Sequence, residues 1–175
     1  AVGMGLILAG SVLLSWNGHG AMTDNALGWL HLAGNAFHLL AGLGWIGALA
    51  AFLWAATLSK ESSRDLVVSL ERFATIGTAF VAVLLVTGIA NTLFVVGSNA
   101  LPTLLETTYG RLLVTKIGLF AVMLAAAAAN RFWLTPRMIT SPSLGAVRTS
   151  LGAELILGIA VLAIVAWLGT LDPAQ

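Results

Sequence analysis

Three histidines and four methionines, with no cysteine, are the soft-metal donors of this 175-residue chain. The lack of cysteine removes thiolate metal sites, iron–sulfur clusters, disulfides and cysteine nucleophiles together. Two of the histidines belong to a polar stripe. His31, Asn35, His38, Gly42 and Trp45 are spaced by four, three, four and three residues. At about 100° per residue, a helix places all five within roughly 80° of one another. One face then carries two imidazoles, an amide, a small residue and an indole N–H. His19 and Met22 stand upstream, in Gly18-His19-Gly20-Ala21-Met22. Imidazole with thioether suits copper, and the thioether favours Cu(I).

The spacing also limits how these groups can work. Seven residues at a rise of about 1.5 Å separate His31 from His38 by roughly 10 Å. Metal–nitrogen bonds are about 2 Å long, so the two rings do not share one ion. They read as successive stations, each completed by groups from other helices. The candidate metal contacts are therefore His19, Met22, His31 and His38, in order from a loop to mid-membrane. Met4 and Met123 lie in apolar segments and read first as packing residues. A lone histidine between membrane helices also serves as a hydrogen-bond partner, and that is the simpler role for His31 taken alone. No paired carboxylates, Ser-His-Asp arrangement or metal-hydrolase motif is present, so no catalysis is expected. Gly42-Leu43-Gly44-Trp45-Ile46-Gly47 matches G-x-G-x-x-G. That motif binds nucleotide after a strand, in a βαβ unit. Inside a spanning helix, its small residues are read as a close-packing surface.

The elements that carry these groups follow from composition. The chain is 59% hydrophobic and 9% charged, with mean hydropathy +0.98. Soluble domains carry about 25% charge. So little charge cannot cover a surface in water, which excludes a soluble enzyme, a nucleic-acid binder and a disordered tail. A net charge of +1 points to no polyanionic partner. Five apolar segments are read as spanning helices, at 1–16, 26–58, 70–97, 109–133 and 147–171. The expected fold is all-α, a polytopic transmembrane bundle of five helices in one domain surrounded by membrane lipid. The runs are too long, and alternate too little, for a β-barrel. Asn17-Gly18-His19-Gly20, the charged stretch from Ser59 to Asp65, Ser98 to Pro102, and Thr135-Pro136 with Ser141-Pro142-Ser143 are the expected breaks. Thr23 or Asp24 is a candidate cap for the second helix, and Ser143 for the fifth. The first segment begins inside an apolar run, without a basic leader or cleavage site, and is read as truncated rather than as a signal peptide.

Charge sets orientation. Lys60, Arg64 and Arg72 flank one connection, and Arg131, Arg137 and Arg148 flank another. The positive-inside rule puts connections 59–69 and 134–146 in the cytoplasm. Connections 17–25 and 98–108 and the C-terminus then face the periplasm. Thr87, Asn91 and Lys116 fall in the outer half, and Asn130, Arg131 and Glu154 in the inner half. Glu154 is expected to pair with Arg131, Arg72 or Arg148. Lys116 either snorkels outward or faces the histidine stripe. Facing the stripe, it argues against a naked cation path and suits an anionic group, such as a haem propionate or a lipid phosphate.

Taken together, these residues resemble the copper resistance D (CopD) family. Phe37 to Gly47 is similar to that family's histidine–tryptophan helix, and Arg72-Phe73 with Thr87-Gly88-Ile89-Ala90-Asn91 to the next. Tyr109-Gly110-Arg111-Leu112-Leu113-Val114-Thr115-Lys116, through Asn130-Arg131-Phe132, resembles its most recognisable block. Trp16-Asn17-Gly18-His19-Gly20 resembles the turn before these helices. The resemblance implies an inner-membrane protein of copper uptake or tolerance, with further helices upstream. It also implies a periplasmic copper-binding partner of the copper resistance C type. It makes His19 and His38 candidate copper contacts. It marks Tyr109, Arg111, Lys116, Asn91 and Asn130 as signature positions without assigned chemistry. His31 rests on the stripe alone. The expected function is passage of copper inward by ligand exchange between sites weak enough to release it. The alternatives are a haem-b protein, with Arg111 or Lys116 at the propionates, and a structural subunit of a membrane complex.

Overall fold

The computed structural model describes residues 26–58, 64–96, 103–140 and 144–171. His19, Met22, Met4, the segment 1–16 and the proposed caps Thr23, Asp24 and Ser143 lie outside the described residues. The described elements are α1 (Ala26–Leu58), α2 (Arg64–Val96), a short 3₁₀ turn at 103–106 and α3 (Thr108–Ala129). A π-helical turn (Asn130–Leu134), α4 (Thr135–Thr140) and α5 (Leu144–Leu168) complete the set. No strand occurs among the described residues. Four stretches are long and apolar enough to cross a membrane: Gly28–Leu58, Leu66–Val96, Thr108–Arg137 and Leu144–Leu168. Five were expected, so the described residues account for four.

The boundaries differ from the expectation where local chemistry overrides charge and proline signals. Helix α2 starts at Arg64 rather than near Leu70, because Leu66 and Val67 are buried in the core. Ahead of α3, the Thr107 hydroxyl accepts from the Gly110 N–H at 2.9 Å and caps the helix. Gly110 is required there. A Cβ at this position would lie 1.7 Å from the Leu104 carbonyl oxygen. At the other end, Thr135-Pro136 does not break the helix. The Thr135 N–H bonds back to the Asn130 carbonyl, which opens a wide π turn. Pro136 then falls in the first turn of α4, directly after the π turn, where its fixed φ suits the helix. Helix α5 lies slightly upstream of the expected 147–171, beginning at Leu144 and ending at Leu168.

Helix α1 packs along α2 on one side and α5 on the other, and α3 packs along α5. Helix α2 meets the third span mainly at the π turn and α4. Among the described residues the helices therefore form an arc, α2–α1–α5–α3, that closes at one end and stands open at the other. Basic groups bind the closed end. Arg131 Nη1 donates to Thr78 Oγ1 at 2.7 Å and to the Ala74 carbonyl at 3.2 Å. Arg148 Nε donates to the Ala56 carbonyl at 2.8 Å. The core runs through Trp45, Leu49, Leu84, Met123 and Leu151. Val86, Trp54 and Ile156 are each 69% exposed, while Glu154 is 1% exposed. Apolar groups outward and a carboxyl inward is the pattern of a bundle solvated by lipid.

Candidate functional site

The polar stripe of α1 faces α2, and the two antiparallel helices meet rung by rung. The His31 ring lies against Phe94, with centroids 4.8 Å apart. Asn91 Nδ2 donates to Asn35 Oδ1 at 3.4 Å. His38 Nδ1 lies 2.8 Å from Thr87 Oγ1. A Cβ on Gly42 would meet Leu84 at 3.9 Å, and one on Gly44 would meet the Phe80 ring at 2.9 Å. From His31 to Gly42, each step of three or four residues along α1 is matched by a similar step back along α2. Gly44 is thus a close-packing position, as read from the sequence, whereas a Cβ on Gly47 would meet nothing within 4 Å.

The His38 rung defines a tautomer. Thr87 Oγ1 also lies 2.5 Å from the Val83 carbonyl. A carbonyl only accepts, so the Thr87 hydroxyl proton is engaged there. Its oxygen must accept from His38, which places the ring proton on Nδ1. Nε2 keeps its lone pair. Fixing one imidazole nitrogen by a hydrogen bond, so that the other can ligate, is the usual outer-shell arrangement of a metal-binding histidine.

His38 lines a cavity of about 490 Å³ bounded by α1, α2, α3 and α5. Its wall is mostly apolar and includes Trp45, Phe120 and Met123. Lys116 lines the same cavity, so it faces the stripe rather than snorkelling away. Among the described residues, no carboxylate pairs with it. Arg111 lies elsewhere, with Nη2 donating to the Glu106 carbonyl at 3.1 Å. His31 does not line this cavity, and its Nδ1 is buried without a partner among the described residues. His38 and His31 therefore sit at separate places on one face. No group of three or more His, Asp or Glu able to hold a metal occurs among the described residues. Of those lining the large cavity, His38 is the single imidazole.

A second cavity, of about 300 Å³, lies toward the closed end and is lined by Trp45, Thr78, Asn130, Arg131 and Glu154. The expected pairing of Glu154 with an arginine is not formed. Asn130 Nδ2 donates to Glu154 Oε1, and Ser150 Oγ lies 3.5 Å from the same oxygen. Asn130 and Arg131, neighbours on a helix, point to different sides. Asn130 reaches α5 and Arg131 reaches α2. Arg148, six residues from Glu154, is on another face of α5 and bonds to α1. Arg72 is exposed.

Thr87 is the residue of this site that the sequence reading did not connect to its partner. Its signal was available. Thr87 and Asn91 are four apart on one helix, and Asn35 and His38 three apart on the preceding one.

Residues 67–168, covering most of α2 through α5, match the family described as copper resistance protein D. The chain belongs to the copper resistance protein D family. It is 36% identical over 171 residues to copper resistance protein D of Pseudomonas syringae pv. tomato, covering 91% of this chain and 55% of the relative. It is 33% identical over 173 residues to inner membrane protein YebZ of Escherichia coli K12, covering 96% and 58%. Copper transport protein CutJ of Bacillus subtilis 168 is 33% identical over 162 residues, covering 90% of this chain and 27% of the relative. The chain thus spans little more than half the length of the first two relatives. No solved structure matches it. The resemblance read from the motifs holds, and four apolar helices make this a membrane protein of a copper-handling family.

Proposed function

We propose that this chain is part of an inner-membrane protein that passes copper from the periplasm inward, with His38 as a station within the bilayer. The observation that carries this reading is the Thr87–His38 bond at 2.8 Å, which orients the ring and leaves Nε2 as a ligand. Met123 lines the same cavity and offers a thioether. Among the described residues lining the cavity, one imidazole and one thioether, with no carboxylate, make a soft and weak site suited to Cu(I). Weak sites release, as conduction demands. Lys116 adds a second property. Its ammonium opposes a bare cation, so copper occupies the cavity together with a negatively charged group seated at Lys116. His31 precedes His38 on the path from the open end, and His19 and Met22 precede His31. The closed, arginine-bearing end is cytoplasmic by the positive-inside rule. A periplasmic protein of the copper resistance C type supplies the ion. Transfer is by ligand exchange, without a catalytic residue. The relatives' names, copper resistance protein D and copper transport protein CutJ, support the cargo.

The same Lys116 favours a second reading, haem b on His38 with a propionate at the ammonium. Metal analysis and a visible spectrum of the full-length protein separate the two. The copper reading expects bound copper, lost in His38→Ala, and no Soret band. A Soret band that shifts on dithionite reduction replaces it with haem. Unchanged copper accumulation by cells carrying His38→Ala at normal protein level would leave a structural role.

A further inference from the structure

We infer that Glu154 and Asn130 form a proton-binding site, reached through the smaller cavity from the closed end of the bundle. Glu154 is 1% exposed and stands about 15 Å along α5 from Leu144. A bare carboxylate at that depth is costly unless paired or neutralised. Among the described residues no cation contacts it. Arg131 is engaged by Thr78 and Ala74, and Arg148 reaches the Ala56 carbonyl. Among the described residues, the two side-chain hydrogen bonds of Glu154, from Asn130 and Ser150, both fall on Oε1. Oε2 is left as the atom to take a proton.

The surroundings favour that proton over other ligands. Among the described residues, Asn130 Oδ1 is buried without a partner, and so is Trp45 Nε1, on a residue only 4% exposed. An unpartnered acceptor beside a carboxyl suits an O–H donor, directly or through water. The cavity volume of about 300 Å³ accommodates several waters. The donors here are all oxygen, which is wrong for Cu(I). Arg131 is the other charged group lining this cavity among the described residues. From α1 and α2 only uncharged side chains line it, such as Trp45, Phe73 and Thr78, and from α4 Thr135. The guanidinium disfavours any cation in this cavity, a sodium ion as well as a proton, and it is the burial of the carboxyl that favours its neutral form. The π turn supports the same reading, since such turns occur often at functional sites and this one carries Asn130. In the loading step a hydronium ion gives its proton to Oε2, so that one O–H bond of hydronium breaks and a water molecule is left. One O–H bond forms, the charge of the site goes from −1 to 0, and release reverses it. The inference stands apart from the copper reading.

Infrared difference spectroscopy of the full-length protein in lipid bilayers tests it. The expected result is a protonated-carboxyl band that shifts in deuterated water, disappears as pH is raised, and is absent in Glu154→Gln. The band persists in His38→Ala. Asn130→Leu, which leaves Glu154 in place, must shift the band, and this variant decides the matter if Glu154→Gln does not fold. A Glu154 carboxylate ionised at every pH at which the protein is folded overturns the proposal. So does a band that follows sodium concentration rather than pH, or one that Asn130→Leu leaves unmoved.

Discussion

The two cavities share Trp45 as a wall and are otherwise opposites. The larger holds a nitrogen and a sulfur donor, with an ammonium that no carboxylate answers among the described residues. The smaller holds oxygen donors around a buried carboxyl, and the one cation lining it among the described residues, Arg131, is already bonded twice. The contrast separates structural polarity from functional polarity inside lipid. Arg131 bonds twice to α2, and the Thr87 hydroxyl is shared between the Val83 carbonyl of its own helix and His38 of α1, so both help to hold the arc together. His38, Lys116 and Glu154 are each held or placed by part of the side chain, with another part left over. In a medium without water, the remaining capacity is where chemistry can occur.

The strongest way to break this comparison is to disable one cavity and read the other. His38→Ala should abolish copper retention by the purified protein and leave the Glu154 infrared band in place. Glu154→Gln should remove the band and leave equilibrium copper content near native. If either substitution removes both signals, the cavities work as one site and the division fails.

A subtler variant is Thr87→Val, which keeps the shape and removes the acceptor for His38 Nδ1. Loss of an outer-shell partner of a metal-binding histidine costs about 10–100-fold in affinity. Competition against a calibrated Cu(I) chelator measures it. Affinity unchanged by this substitution would mean that the Thr87 bond does not prepare the ring.

Much of this arrangement can be read from local pattern, and the rest depends on rotation and register. The α1 stripe follows from helical periodicity, because all five residues lie on one element. That His38 meets Thr87 depends on how α1 and α2 align, which no single-helix pattern contains. Lys116 has two readings in the sequence for the same reason. Its position along α3 follows from the chain, but the face turned toward α1 does not. Pro136 reads as a break because proline usually is one, and the π turn that accommodates it has no local signature. Pairing Glu154 with an arginine follows from charge alone. The side on which each group stands decides for Asn130.

Lys116→Met sharpens the distinction within the larger cavity. It keeps the length of the side chain and removes the charge. Copper should then bind about tenfold more tightly, equivalent to about 1.4 kcal/mol, and dissociate more slowly. The retained copper should also lose any dependence on added anions. Stopped-flow transfer of copper to a chelator reads the rate. Faster release, or affinity reduced by the substitution, would show that the anion seated at Lys116 adds more to copper binding than the ammonium takes from it.

The smallest effect belongs to the neighbouring rung. Asn91 Nδ2 and Asn35 Oδ1 are 3.4 Å apart, a long bond beside the 2.8 Å contact of His38 with Thr87. Hydrogen bonds between membrane helices contribute about 0.6 kcal/mol on average, because the separated helices find other partners. Asn91→Ala should therefore lower stability in detergent unfolding by less than about 1 kcal/mol. Copper affinity should remain near native, because the Thr87 hydroxyl and its Val83 acceptor are untouched. A loss of affinity comparable to that of Thr87→Val would mean that the rungs act cooperatively. The asparagine pair would then set the register that brings Thr87 to His38, and the ladder as a whole, rather than one hydroxyl, would be what prepares the imidazole.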